Sequence, residues 1–405
     1  LTGLVGCGRS ESGSAPPAEG AGPLQMMTPA YTHSEIGFVG KEGLYRCENI
    51  AKGYLLCYLD YATNQKVALC NRPECRHQDR SCAAWLSNYG APFVLDGKLY
   101  LDCLPEFFDN EVGPYHIQQR NLDGSGAKTV WEAQSGESVT SAIVADDDYF
   151  YFFSYQMAEG EEESANYWNR VRRADGSRER IKKIPAFEGY DLFGVTETAV
   201  IVVRGSELFG SDFTFFFMDP QTGDTTPAFS FDTEETLFQY LDGQTAYFLD
   251  LAENALKTVD LETGERKTVF PDLGLDKIGQ EWLEIRLVVD GRYLVLYSSE
   301  EQPGAEKLAA VCYAVDLAQQ TIRRQDFYFE MTDGEISPYT VNYLLPGEKL
   351  LAITGMETEY QRIENYGLVE DYPVDYYTEA VIPVTDFFAG IDNFTPVTTV
   401  LWGNS

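Results

Sequence analysis

The densest group of residues with chemical potential lies early in the chain, where three cysteines and one histidine fall within 13 residues. They are Cys70, Cys75, His77 and Cys82, spaced Cys-x4-Cys-x-His-x4-Cys. Three thiolates and one imidazole suit tetrahedral Zn²⁺, and four protein ligands make such a zinc structural because no coordination position stays open. The spacing matches no standard zinc finger, so other chemistries stay open.

Disulfides are the main alternative for these thiols if the protein is extracytoplasmic. A disulfide within the group leaves one thiol over, for which Cys103 is a candidate partner. Reduced thiols are the third interpretation. The intervening residues are mostly charged or polar and supply almost no core, so we expect the group to order its segment structurally whichever chemistry applies.

Two further cysteines, Cys47 and Cys57, flank a short turn and sit symmetrically about Lys52. If the turn is centred on Lys52, the two thiols face each other across a hairpin and can form a cross-strand disulfide. Two separate buried thiols are the alternative. Cys312 lies in an apolar stretch and is interpreted as a core residue.

The histidines argue against the familiar hydrolases. Only His33, His77 and His116 exist, and none lies in a Gly-x-Ser-x-Gly or His-Glu-x-x-His motif. No phosphate-binding glycine loop precedes a helix. Nothing selects an acid–base pair among the 64 acidic residues. Enzymatic activity is therefore undecided, and a non-catalytic role is favoured.

The charge of the chain excludes one class of partner. With 30 basic and 64 acidic residues among 405, the formal net charge is −34. Such a charge repels phosphate backbones, so nucleic acid is not expected as a partner. Apolar residues at 44% and aromatics at 14% are nevertheless too many for a disordered acidic chain.

The elements that must position these residues come from an internal repeat of about 50 residues. Each copy holds a short apolar strand, a turn rich in Asp and Gly, and an aromatic strand. Copies begin near Gly43, Val94, Val144, Val195, Leu241, Val289 and Leu345. A second series of turns, clearest at Asp219 and Asp260, interleaves with the first.

Two hairpins per period give four antiparallel strands, here called A to D. The sequence therefore predicts an all-β fold, a β-propeller of four-stranded antiparallel blades. Seven blades are expected, and six are the alternative because the fourth A–B turn is weak.

The N-terminus resembles the end of a bacterial lipoprotein signal, since Leu4-Val5-Gly6-Cys7 fits a lipobox. Residues 1–7 are then a signal remnant, 8–34 a flexible linker rich in Gly, Ser, Ala and Pro, and 35–405 the propeller domain with a Cys-rich crossing at 70–91. Acyl chains on Cys7 would hold the protein in the lipid bilayer, at the extracytoplasmic face of the cell membrane.

Strand order separates two rims. The A–B and C–D turns form one rim, called the A–B rim, and the B–C loops and D–A crossings form the other, called the B–C face. The long segments 105–113, 157–166, 300–307 and 357–377 are B–C loops, and the Cys-rich stretch is a D–A crossing, so we expect the working surface on the B–C face. The segment 357–377 carries Tyr372, Asp375, Tyr376 and Tyr377 as candidates for ligand binding.

The Asp-Gly hairpins and Asp-x-x-Thr-Gly turns resemble TolB-like bacterial propellers over about residues 35 to 400. The layout also resembles uncharacterised propeller lipoproteins of anaerobic Gram-positive bacteria, which carry a Cys-x-x-Pro-x-Cys-x-His-x-x-x-x-Cys-like segment. Here that segment runs from Cys70 to Cys82. The resemblance implies a fold and a location, and no established activity.

These observations favour a binding module that presents one face to a glycan, a peptide or a protein. No cofactor is required for this role, and a zinc at the Cys segment, one of the chemistries left open there, would be structural. A carboxylate-based hydrolase or lyase acting on polysaccharide or peptide is one alternative. A metal- or thiol-linked sensor accessory centred on the Cys segment is the other.

Overall fold

The computed structural model describes residues 22–28, 37–50, 53–72, 74–77, 79–105, 107–108, 111–140, 142–157, 163–185, 189–204, 212–232, 236–274, 283–301, 308–332, 334–365 and 368–400. These residues are almost entirely β-structure, as the abundance of aromatic and β-branched residues predicts. One short helix, α1 (Val384–Ala389), interrupts the last blade.

Seven four-stranded antiparallel sheets follow one another along the chain, so the predicted seven-bladed propeller is confirmed and the six-bladed alternative is wrong. The first strand, β1 (Gln25–Met26), precedes them. Blade I contains β2 (Gly37–Val39), β3 (Gly43–Ile50), β4 (Gly53–Asp60), β5 (Gln65–Ala68) and an added β6 (Trp85–Leu86). Blade II contains β7 (Gly90–Leu95), β8 (Lys98–Cys103), β11 (His116–Arg120) and β12 (Lys128–Glu132), with the hairpin β9 (Phe107–Phe108) and β10 (Glu111–Val112) in its B–C loop.

Blades III to V keep the same order. Blade III contains β13 (Glu137–Val139) and β14 (Val144–Ala145) as its inner strand, then β15 (Tyr149–Gln156), β16 (Ala165–Arg172) and β17 (Arg178–Pro185). Blade IV contains β18 (Tyr190–Val195), β19 (Val200–Arg204), β20 (Asp212–Met218) and β21 (Thr225–Asp232). Blade V contains β22 (Thr236–Asp242), β23 (Thr245–Asp250), β24 (Ala255–Asp260) and β25 (Arg266–Phe270).

Blades VI and VII complete the ring and carry extensions. Blade VI contains β26 (Leu283–Val289), β27 (Tyr293–Glu301), β28 (Leu308–Asp316) and β29 (Thr321–Arg324), followed by the hairpin β30 (Tyr328–Glu330) and β31 (Ile336–Pro338). Blade VII contains β32 (Thr340–Leu345), β33 (Lys349–Asn365), β34 (Leu368–Pro383) and β35 (Thr395–Pro396). The last strand is β36 (Thr398–Val400).

The two predicted turn series explain why the chain reverses where it does. In the second series Asp60, Asp219 and Asp260 accept backbone hydrogen bonds from residues two or three positions ahead. In the weak fourth A–B turn Thr196 takes the role of aspartate, because its hydroxyl accepts hydrogen bonds from the amides of Thr198 and Ala199. Thr196 therefore forms the A–B turn of blade IV, whose weak sequence signal had left six blades as an alternative.

Ring closure joins both ends of the repeat. Strand β36 pairs in parallel with β5, the outer strand of blade I. Beneath it, Arg46 donates to Glu379 of β34 at 2.6 Å, and Lys66 contacts Glu48 at 2.6 Å and Glu379 at 3.0 Å. Arg46, Lys66 and Glu379 are nearly fully buried, so this cluster of two cations and two anions locks blade VII to blade I.

The described part of the expected linker, residues 22–28, packs on the propeller. β1 pairs with β14 on the inner edge of blade III, and the Leu24 amide donates to Glu197 of blade IV at 3.2 Å. Leu24 and Met27 are buried in the cores between blades. The packed domain therefore extends back at least to Gly22, while Cys7 and most of residues 8–34 lie outside the described residues.

Candidate functional site: a cysteine loop and an extended rim

The cysteine segment is an excursion of the outer strand of blade I, not the unpaired crossing that the sequence indicates. β5 and β6 both pair with β4, and residues 69–84 lie between them. The amide of Leu69 donates to the carbonyl of Leu56 at 2.9 Å, and the amide of Leu56 donates to the carbonyl of Ala84 at 2.8 Å. Both ends of the loop are thus hydrogen-bonded to one residue, Leu56. The loop therefore lies at the side of blade I that packs against blade II, and not on the B–C face.

Within this loop the four predicted residues come together. One ligand atom each from Cys70, Cys75, His77 and Cys82 lies within 4.8 Å of the other three. His77 adopts a positive φ of 55°, a costly conformation for a non-glycine residue, and its Nδ1 lies 3.2 Å from the Cys82 sulfur. Cys103 is buried in β8 and is not part of the group.

The thiols differ in how readily they ionise. Partial burial opposes ionisation of Cys70, but hydrogen bonds from the Arg72 backbone and neighbouring side chains outweigh it, so its pKa lies below the ordinary value. Burial raises the pKa of Cys82 to about 12. A divalent cation would supply the positive charge that the buried Cys82 thiolate lacks.

The donor set fits a tetrahedral metal. Zinc–sulfur bonds of about 2.3 Å place tetrahedral ligand atoms about 3.8 Å apart, so the observed group needs only a small contraction. All four positions are filled by protein atoms, which is the arrangement of a structural metal. A cavity of about 350 Å³ opens within the loop and is lined in part by Arg72, Cys75, His77 and Asp79.

Cys47 and Cys57 do not face each other. The turn between β3 and β4 is centred one half-residue before Lys52, so Cys47 lies opposite Leu56, and Arg46 lies opposite Cys57. Because directly opposed residues share a face of the sheet, the two thiols point to opposite faces. Of the two interpretations that the sequence leaves open, the cross-strand disulfide is therefore excluded by a register difference of one residue, and Cys47 and Cys57 are two separate buried thiols.

The segment 357–377 is a two-stranded arm and not a loop. β33 and β34 continue far beyond the blade, pairing in register from Lys349–Pro383 to Asn365–Leu368. The arm contacts the β30–β31 hairpin, where the Thr358 amide donates to the Thr332 hydroxyl at 3.0 Å. A register shift between Ile353 and Gly355 marks the base of the arm.

Strand alternation divides the candidate ligand-binding residues. Asp375 lies opposite Thr358, to whose hydroxyl it is bonded at 2.7 Å, and Tyr377 shares that face. Tyr376 lies on the other face with the buried Val374. Tyr372 pairs with Gln361 in the register, and its side chain lies outside the described part. The four residues thus belong to a ribbon with two faces.

Other long segments also extend outward from the B–C face. The loop at 105–113 contains β9 and β10, and β30–β31 occupies the crossing from blade VI to blade VII. Most of the predicted loops 157–166 and 300–307 lies outside the described residues.

No sequence pattern indicates a set of polar residues on the inner strands. Register shifts occur where Gln239, Arg286 and Asn342 bulge from β22, β26 and β32. Gln239 accepts from the Ile285 amide at 3.3 Å, and Arg286 donates to Asn342 at 3.2 Å. These bonds join blades V, VI and VII. The sequence does not show that Gln239, Arg286 and Asn342 occupy equivalent bulges, because that equivalence appears only when the three blades are superposed.

Comparisons with known proteins support the fold. No protein-family model matches the chain, and no curated protein matches it in sequence. The crystal structure of oligogalacturonate lyase from Vibrio parahaemolyticus matches with a TM-score of 0.52 at 11% identity, covering 89% of this chain and 94% of that one. TolB from Acinetobacter baumannii matches at 12% identity with a TM-score of 0.35, covering 84% and 76%.

Porphyromonas gingivalis dipeptidyl peptidase 4 matches at 10% identity with a TM-score of 0.46, covering 93% of this chain and 60% of that one. The similarity to oligogalacturonate lyase, at 11% identity, shows the fold alone. The chain is therefore a seven-bladed β-propeller with a lateral Cys₃His loop and an extended arm. No helix in the described ranges is long and apolar enough to cross a membrane.

Proposed function

We propose that this chain is a membrane-tethered, extracytoplasmic lipoprotein that binds a glycan, a peptide or a protein without catalysis. In this proposal diacylglycerol on Cys7 anchors it in the cell membrane, and the B–C face holds the partner. The observation that carries the proposal is that the β33–β34 arm and the β9–β10 and β30–β31 hairpins all extend from the B–C face.

Exposed apolar side chains support this choice of surface. Leu104, Met157, Ile336 and Tyr360 are 41%, 62%, 64% and 72% exposed, and all four belong to segments of the B–C face. Singly exposed apolar residues are common on protein surfaces, whereas a contiguous apolar patch marks an interaction site. Ile336 and Tyr360 lie on the β30–β31 hairpin and the arm, which contact each other.

The path of the N-terminal strand is consistent with a tether on the opposite side. Gly22 lies against the carboxylate of Asp147 in an A–B turn, and the chain then runs inward to Thr28, whose hydroxyl accepts from the Ile143 amide at 2.8 Å. A segment attached before Gly22 therefore leaves from the A–B rim. A membrane anchor there would leave the B–C face accessible.

Two experiments test this proposal. With a complete lipoprotein signal in a bacterial host, the protein should fractionate with membranes and Cys7→Ala should release it. On glycan and peptide arrays, Ile336→Ala and Tyr360→Ala should weaken binding at least tenfold, whereas Leu122→Ala on the A–B rim should not. Unchanged membrane fractionation of Cys7→Ala would refute the lipid anchor. Loss of binding in Leu122→Ala alone would show that the binding surface is the A–B rim and not the B–C face.

The hydrolase or lyase alternative receives less support. Burial raises the pKa of Asp102 to about 8 and raises the pKa values of Asp191 and Asp242. Asp102, Asp191 and Asp242 lie on β8, β18 and β22. The carboxylate that adds to the pKa shift of Asp242 is Asp290, which lies in an A–B turn, on the rim opposite the B–C face. Release of products from a polysaccharide or a peptide would nevertheless establish this alternative.

The cysteine loop belongs to the same proposal as a structural zinc centre. Cys70, Cys75, His77 and Cys82 would supply all four ligands and hold the excursion of blade I in one conformation. A disulfide would use only two of the sulfurs and would leave the clustered imidazole without a role. Metal analysis should give one zinc per chain, and thiol titration after chelation should then detect three additional reactive thiols.

A further inference from the structure

We propose that Arg120 is a positioning residue of the cysteine centre, supplying from blade II the positive charge that balances the metal-loaded loop of blade I. This inference rests on the zinc centre proposed above. Arg120 is not itself a metal ligand, and it lies on a different blade, far along the sequence from the four proposed ligands.

Arg120 holds the neck of the loop. Its side chain is buried, and Nη1 donates to the carbonyl of Ala83, the residue directly after the ligand Cys82. The same nitrogen lies 3.4 Å from the Gly124 carbonyl, and Nε donates to the Gln118 side chain at 2.6 Å. Arg120 therefore fixes the backbone beside one ligand from the neighbouring blade.

The turn that follows Arg120 contacts the other side of the same neck. Gly124 adopts a positive φ of 80°, and a Cβ there would come within 2.5 Å of the Leu69 carbonyl. Leu69 precedes the ligand Cys70, so blade II contacts the chain on both sides of the loop.

The charge of Arg120 points to an anion that the metal centre would provide. Among the described residues its hydrogen-bond partners are carbonyl and amide oxygens, and none of them is a carboxylate. The titratable groups that interact electrostatically with its guanidinium are the thiols of Cys103, Cys47 and Cys82, which carry no charge while they are protonated. A buried cation without a counter-charge is costly. Zn²⁺ with three thiolates and one imidazole carries a net charge of −1, so loading the loop would supply the missing counter-charge.

This arrangement predicts opposite effects in the loaded and metal-free proteins. Arg120→Met should weaken zinc binding about 10- to 100-fold, measured by competition with a chromophoric chelator. Arg120→Lys should recover part of the affinity because the charge is kept. In the metal-free protein Arg120→Met should leave the melting temperature unchanged or raise it, because an uncompensated buried charge is removed. A purely structural arginine would lower the melting temperature of both forms equally.

Arg173→Met is the matched control. Arg173 of blade III also joins two blades, through its ion pair with Asp96 of blade II, and it donates to two backbone carbonyls of its own blade, those of Asp146 and Asp147. Its substitution should leave zinc affinity unchanged. Wild-type affinity in Arg120→Met, or equal loss in Arg173→Met, would overturn the role of Arg120 alone. Failure of the wild type to bind zinc would overturn the centre itself. If Arg120→Met does not fold, the measurements are made on Arg120→Lys and Arg120→Gln.

Discussion

A single carboxyl group in blade II is placed where carboxylates are rarely stable. Asp102 on β8 is 9% exposed, and its Oδ1 has no hydrogen-bond partner among the described residues. Desolvation raises its pKa to about 8, with no neighbouring cation to oppose the effect. Asp102 is therefore protonated in the folded protein near neutral pH.

Asp102 should make stability depend on pH. Its folded pKa lies above the unfolded value near 4, so the stability that the neutral form contributes is complete below about pH 4 and is lost as the pH rises through about 8. Asp102→Asn removes this dependence. The free energy of unfolding of the variant should gain about 2–4 kcal/mol on the wild type between pH 5 and pH 8 in urea titrations. Parallel pH curves for the two proteins would contradict the assignment.

At the cysteine loop, Cys75→Ser tests whether the ligand group has a structural role. Removal of one ligand should lower the melting temperature and abolish the response to a strong chelator, because the loop then holds no metal. The wild type should lose a similar number of degrees when chelated. Cys312→Ser, which changes a core thiol outside the group, should keep its chelator response. If the wild type has free thiols and no metal, and Cys75→Ser melts at the wild-type temperature, the loop is a site of reactive thiols and does not stabilise the fold.

At the scale of elements, local signals were sufficient wherever a hairpin depends on its own turn residues. The Asp-Gly turns predicted the blades, and Thr196 preserved the weakest turn through its hydroxyl. The sequence could not decide between a Cys47–Cys57 disulfide and two buried thiols, because moving the turn centre by half a residue changes the strand register by one residue and turns one thiol to the other face. The sequence of the arm favours a loop, because Pro373 and the acidic residues beside it are unusual in a β-strand.

Long-range contacts between elements gave no sequence signal. The Arg46–Glu379 pair spans 333 residues, and the parallel pairing of β36 with β5 joins the two ends of the ring. No local pattern distinguishes Glu379 from the other acidic residues, because its partners come from the opposite end of the chain. Ring closure is therefore a property that only the complete fold reveals.

Glu379→Gln should weaken this closure strongly. The change removes the anion that contacts Arg46 and Lys66 and leaves buried positive charge, which costs about 3–5 kcal/mol of unfolding free energy. Glu179→Gln is the control, since Glu179 is 60% exposed and its pair with Arg170 should contribute less than about 1 kcal/mol. Equal urea midpoints for the two variants would contradict the closure role.

The same cluster should make the wild type sensitive to acid. Burial opposes ionisation of Glu48, but Arg46 and Lys66 outweigh it and lower its pKa to about 2. The stability contributed by Glu48 is therefore present above about pH 4.5 and is lost as the pH falls toward 2. Glu379→Gln should shift the acid transition to higher pH than in the wild type, measured by near-ultraviolet circular dichroism.

At the scale of the whole molecule, the N-terminal segment is part of the propeller that it was expected only to precede. Its composition of Gly, Pro and small residues is typical of a linker, but Leu24 and Met27 are 7% and 6% exposed and enter two different inter-blade cores. β1 adds a strand to the inner edge of blade III and bonds to blade IV. The segment therefore links the adjacent blades III and IV. It also places Gly22, where the described chain begins, at the A–B rim of the ring.

This arrangement predicts that the segment stabilises the ring. Leu24→Ala and Met27→Ala should each lower the unfolding free energy by about 2–4 kcal/mol, because each leaves a cavity between blades. Gln25→Ala, at an exposed position between them, should cost less than about 0.5 kcal/mol. The substitutions should also speed limited proteolysis before Gly22, since the freed strand exposes more chain at the A–B rim. If all three variants unfold at the wild-type urea concentration, the segment is attached to the ring without stabilising it, and its position no longer defines where a tether departs.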